Sequence, residues 1–165
     1  MYDLLLRSMK SMLFIGVMLV SVNALAQRDL ASAKFINLTT VSRATGYSQA
    51  VEIDLGNSKM LIISGQVALD KDDKVVGGDN FEKQADQVFT NIKNIVENSG
   101  GSMSDLVKVT VYLRNVSNIN KFREVRNRYI TVNNPPASTL VEVTDLARDE
   151  FLLEVEATAV ILKKE

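Results

Sequence analysis

The sequence predicts an α+β fold, one mixed sheet with two helices laid on one face, in the order β-β-β-α-β-α-β-β. Three observations predict it. Two stretches, within 81–96 and 118–132, repeat apolar residues at helical spacing. Several shorter stretches are continuously apolar or alternate apolar and polar residues with a period of two. The 165 residues, 46% of them hydrophobic, suffice for one domain with a core and are too few for two typical ones.

The elements follow in order. Phe35 to Leu38 reads as a short strand after a loose polar stretch from Arg28 to Lys34. Val51-Glu52-Ile53-Asp54-Leu55 alternates apolar and acidic residues, and Gly56-Asn57 turns the chain into Met60 to Ile63, giving a hairpin. The apolar run Met60-Leu61-Ile62-Ile63 suits a strand covered on both faces. Asp70 to Asn80 is a polar loop. Asp79 or Asn80 caps a helix whose inner face is Phe81, Ala85, Val88, Phe89, Ile92, Ile95 and Val96, and Gly100-Gly101 ends it. Val107, Val109, Val111 and Leu113 alternate with polar residues as a strand. The second helix, Asn118 to Val132, turns Phe122, Val125, Tyr129 and Val132 inward and stops at Asn133-Asn134-Pro135-Pro136. Two strands close the domain, Thr139 to Val143 and Leu152 to Leu162.

Residues 1–26 carry the pattern of a cleavable export signal. Arg7 and Lys10 precede an apolar run from Met12 to Val22, and Ala24-Leu25-Ala26 supplies a small-residue cleavage site. The run is about half the ~20 residues that a membrane-spanning helix needs. Cleavage after Ala26 would leave residues 27–165 as a single domain starting at Gln27, periplasmic or secreted, with no membrane attachment.

Composition excludes whole classes of chemistry. The chain has no His and no Cys, so Ser-His-Asp triads, thiolate nucleophiles and His or Cys metal sites cannot be built. Proton transfer falls to Glu, Asp, Tyr, Lys or water. The formal net charge is −1, and the leader removes one acidic and two basic residues, leaving −2. With Lys and Arg scattered, no basic track for a phosphate backbone is present and no nucleic-acid partner is expected. A sheet that is apolar on both faces, with helices for only one, calls for another subunit on the second.

Four blocks carry a resemblance. Gly46-Tyr47-Ser48-Gln49-Ala50-Val51 is followed by Ile63-Ser64-Gly65-Gln66, then Pro135-Pro136-Ala137-Ser138-Thr139-Leu140-Val141-Glu142-Val143, then Leu153-Glu154-Val155-Glu156-Ala157. In this order and spacing the chain resembles the RidA (YjgF-type) family over nearly all of residues 27–165. The resemblance implies a RidA/chorismate-mutase-like fold, a barrel-like homotrimer with small-molecule pockets between subunits, and hydrolysis of enamines or imines without a cofactor or metal.

It also implies site residues. Glu154 matches the glutamate that handles the hydrolytic water, although an acidic residue at this place on a strand also reads as a plain solvent-facing side chain. Glu156 shares its face and serves as the control. Tyr47 would line the pocket and offer a hydroxyl, the backbone of Gly65 would border the ligand, and the backbone of Leu140 would face it. Ser138 departs from the pattern: the family's deaminases have an arginine there, whose fork grips the substrate carboxylate, and serine cannot replace it. Such a loss costs on the order of a hundredfold in affinity. Arg126 stands where the family has asparagine. It either restores the missing charge from another wall of the pocket or is a solvent-exposed helix arginine. The expected function is therefore binding of a small imine, enamine or carbonyl metabolite with hydrolysis and release of ammonia, or else a non-catalytic ligand-binding trimer.

Overall fold

A computed structural model describes residues 32–163, so the leader and cleavage site expected over residues 1–26 lie outside the described residues. The elements are β1 (Ala33–Ile36), β2 (Ala50–Asp54), β3 (Ser58–Gln66), α1 (Phe81–Asn98), β4 (Leu106–Leu113), α2 (Ile119–Tyr129), β5 (Ala137–Glu142) and β6 (Leu153–Leu162). The order is the predicted one. Six strands form one sheet in the order β1-β2-β3-β6-β4-β5, antiparallel throughout except for the parallel pair β4–β5.

The helices cover one face. On β6, Leu153, Val155, Ala157, Ala159 and Ile161 are buried while the residues between them are partly exposed. Register carries the same alternation across the sheet, placing Leu61 and Ile63 of β3 and Val109, Val111 and Leu113 of β4 on the covered side. The predicted inner face of α1 is buried at every position, and Phe89 packs against Phe122 and Tyr129 of α2. Asn80 supplies the cap, its side chain accepting from Lys83 N–H at 2.9 Å. Gly100 takes the left-handed conformation at φ 79° that stops the helix.

The other face divides by polarity. Phe35, Val51, Ile53, Met60, Ile62 and Val160 fall together at one end by register, with Phe35 69% and Ile62 44% exposed. At the other end, Glu156 lies beside Thr110, which in turn pairs with Thr139, and Glu154 lies beside Tyr112, which pairs with Val141. The burial half of the two-sided prediction for β3 thus holds on the helix side, and the second side is open within this chain.

Three local expectations are corrected. The first strand is Ala33–Ile36 rather than residues 35–38, because the Gln49 side chain takes the Leu38 backbone: Leu38 N–H donates to its Oε1 at 2.6 Å. Val107 does not share the inner face of β4 but is 45% exposed, since an extra residue between Leu106 and Lys108 flips the alternation and turns Leu106 inward. The second helix ends at Tyr129, and extended Ile130 takes the inward place expected of Val132, which is 63% exposed.

Candidate functional site

β3 runs past β6 with one residue too many. Ile63 pairs with Ala157 and Gln66 with Val155, so Ser64 and Gly65 together oppose Glu156. This bulge sits beside Glu154 and brings the β3 backbone close to its carboxyl group. A Cβ built on Gly65 would overlap Glu154 Oε1 and lie 2.7 Å from its Cδ. Gly65 has no left-handed φ, so the glycine is required by this close approach and not by the backbone.

Glu154 is half-buried, and its pKa is raised above the ordinary carboxylate value, first by burial and second by the negative charge of Glu156. Tyr112 is its cross-strand neighbour. The Tyr112 phenol is also pushed up, by burial first and then by the Glu156 and Glu154 carboxylates. This arrangement can hold a proton on a carboxyl group nearer neutrality than a free glutamate would, which suits a group that takes a proton from water and returns it.

The loop before β2 is fastened to the same bulge. Ser64 Oγ donates to Ser48 O at 2.7 Å, and Ser64 N–H to Gln49 O at 3.0 Å. Gln49 is buried and knots residues 37–42 to the sheet, its Nε2 donating to Ser42 O at 2.7 Å. Tyr47, one residue before this anchor, is 55% exposed and free to face a ligand. Tyr47, Gly65 and Glu154 therefore belong to one end of the sheet.

Ser138 and Arg126 belong together elsewhere. They line one cleft of about 390 Å³ with Val109, Asn127, Ile130, Val132, Pro135 and Pro136. Ser138 pairs in register with buried Val109, which puts this cleft on the helix-covered side, opposite Glu154. The Leu140 side chain packs on the core from that side. Val143 N–H donates to Leu113 O at 2.9 Å, and because backbone groups alternate in direction along a strand, those of Leu140 point off the free edge of the sheet. Within one chain, then, five of the six predicted residues form two groups, a water-handling group of Tyr47, Gly65 and Glu154 and a cleft group of Arg126 and Ser138, and Leu140 belongs to neither. Among the described residues no three acidic side chains converge to hold a metal ion.

Sequence reading missed Tyr112 and Asn127. Tyr112 alternates with inward Val111, which was legible, but its pairing with Glu154 depends on which strands are neighbours. Asn127 follows Arg126 on the exposed side of α2 and has no signal of its own.

The geometry can now be set beside known proteins. Residues 38–161 match the family model described as Endoribonuclease L-PSP. The chain belongs to this family, the RidA/YjgF family. It is 37% identical over 113 residues to a RutC family protein of Saccharolobus solfataricus, covering 68% of this chain and 85% of that one. A RutC family protein of Pyrococcus horikoshii is 42% identical over 114 residues, covering 68% and 85%. Among solved structures, RidA from an Antarctic Psychrobacter superposes with a TM-score of 0.68 at 34% identity, over 78% of this chain and 99% of that one. The YjgF gene product of E. coli gives 0.66 at 31% identity, over 79% and 99%. The RidA-like fold expected from the four blocks is the fold observed.

Proposed function

We propose that this RidA-family chain is exported, assembles as a homotrimer, and hydrolyses a small enamine or imine with release of ammonia. The observation that carries the reading is the half-buried Glu154 carboxyl seated on Gly65, with its proton affinity raised by burial. A water held by Glu154 would add to the C=N carbon, which an enamine gains by tautomerising, and its proton would pass through the carboxylate to nitrogen to give the carbinolamine; the carbinol hydroxyl proton would then pass the same way to nitrogen as the C–N bond breaks, releasing ammonia and leaving the carbonyl. That cycle needs no cofactor. The apolar end of the open face supports assembly, because Phe35 and Ile62 would be covered there. Assembly also supports a complete pocket, since the cleft group and the water-handling group lie on opposite faces and a neighbouring chain could bring one to the other.

The test is ammonia release from freshly generated imines, acidic and uncharged, with Glu154→Gln beside the wild type and Glu156→Gln as control. Loss of turnover in the Glu154 variant alone is expected, and equal rates for wild type and Glu154→Gln would refute hydrolysis. Ser138 favours a second reading, a ligand-binding trimer without catalysis. In that case the wild type releases no ammonia, and Ser138→Arg would confer the activity. RNA cleavage, which the family description names, has little physical support in a chain of net charge −1 without histidine.

A further inference from the structure

Arg126 is an arginine without a counter-charge. Among the described residues no carboxylate lies within ion-pair distance of it, and its hydrogen bonds go to Asn127 alone: Nε and Nη2 both donate to Asn127 Oδ1, at 3.1 and 2.8 Å. That contact occupies one side of the guanidinium. The end formed by Nη1 and Nη2 keeps a pair of parallel donors, the geometry that accepts both oxygens of a carboxylate. With Oδ1 committed to the arginine, the Asn127 amide has its N–H groups left to give, and Ser138 adds a hydroxyl on the facing strand. The remaining walls, Val109, Ile130, Val132, Pro135 and Pro136, are apolar, and no acidic residue lines the cleft. Its volume of about 390 Å³ lies within the range of small-molecule sites.

We propose that this cleft binds the carboxylate of a small monoanionic ligand with an apolar body, held by the free end of Arg126 with Asn127 and Ser138 at its sides. The charge is delivered from α2 instead of from the β5 position that Ser138 fills. This deepens the reading above, resting on it for the imine or carbonyl part of the ligand. Its test reads binding and not turnover, so the two can fail separately.

The experiment titrates the full-length, isotope-labelled protein with butanoate and with butanamide, following amide resonances by NMR. Butanoate should saturate, with an affinity on the order of millimolar, and should move the signals of Asn127 and Ser138. Butanamide, with the same body and no charge, should bind at least tenfold more weakly. Arg126→Gln should weaken butanoate on the order of tenfold to a hundredfold, Arg126→Lys less, and Arg123→Gln, on the same helix, not at all. Equal binding of the two probes, an Arg126→Gln variant that binds as the wild type does, or no movement at Asn127 and Ser138 overturns the proposal. Should Arg126→Gln fail to fold, the wild-type preference between the two probes decides it. Glu154→Gln should keep butanoate binding whatever it does to ammonia release, which separates this site from the catalytic claim.

Discussion

Replacing Gly65 with alanine tests the centre of the proposed chemistry with a single methyl group. The added Cβ would overlap Glu154 Oε1 and stand 2.7 and 3.0 Å from Cδ and Cγ. Carbon atoms make unstrained contact at about 3.5–4.0 Å, so the carboxylate must move by an ångström or more. The cost to folding should be small. Gly65 has an ordinary φ, and loss of glycine's freedom in the unfolded chain contributes about 0.4–1 kcal/mol of stability. Forcing Glu154 off its rotamer costs about 0.5–1.5 kcal/mol. The two nearly offset, which leaves the melting temperature within a few degrees. Turnover should fall on the order of a hundredfold, the usual effect of misplacing a reacting group by an ångström. A carboxylate pushed toward solvent also loses the burial that raises its pKa, so the limb of the pH–rate profile that reports Glu154 should shift to lower pH. The assay is ammonia release across pH, with a thermal melt on the same samples. A stable Gly65→Ala protein with unchanged rate and pH profile would refute the reasoning, because Glu154 would then not work from the space that Gly65 leaves.

Other outcomes follow from the same structure. Because the folded state raises the Glu154 pKa, the native protein binds this proton more tightly than the unfolded chain. The stability that this contributes is complete below the ordinary glutamate pKa of 4.5 and is lost as pH rises through the folded value. Glu154→Gln should therefore stabilise the protein at neutral pH, with the advantage fading toward acid, measured by denaturant melts at several pH values. Gln84, fully buried on α1, donates to Gly78 O and Glu150 O and accepts from Leu152 N–H. Gln84→Leu should cost on the order of 3 kcal/mol in urea unfolding by leaving those groups unpaired. Asn80→Ala removes the α1 cap and should cost about 1 kcal/mol in the same measurement. Alkaline absorbance titration should find the Tyr112 and Tyr129 phenols ionising above the ordinary tyrosine value of 10.0, each signal absent in the corresponding Phe variant.

The order and type of the six strands and two α-helices were legible in the sequence because local patterning sets them; the short 3-10 turns Met103–Asp105 and Val116–Asn118 were not. Seven apolar positions of α1 recur at helical spacing, and Leu153 to Ile161 alternate so strictly that only one face of β6 can be inside. Where the reading slipped, a long-range contact had overridden a local pattern. Val107 looks inward by alternation with Val109 until the bulge against β6 inserts an extra residue. Residues 37 and 38 look like strand until Gln49, just before β2, takes them over: its side chain bonds the Leu38 backbone, and its own N–H donates to the Asn37 side chain. Gln84 and Asn91 interrupt an apolar helix face as if they were errors. Each instead satisfies loop carbonyls that the sequence cannot place beside it.

The candidate site divides along the same line. By itself the sequence determined the family blocks, the want of histidine and cysteine, and the exchange of an arginine for Ser138, since these are matters of which atoms the chain owns. It also named Glu154 and Arg126 as the residues to watch. Only the tertiary structure decided what each can reach. Pairing of β6 with β3 sets Glu154 against Gly65, its pairing with β4 sets Glu154 beside Tyr112, and burial there raises its proton affinity. The parallel pairing of β4 with β5 puts Ser138 under α2, where Arg126 opens into the same cleft. Proton affinity and charge complementarity depend on distance and solvent access, and both are fixed by contacts between strands far apart in the chain.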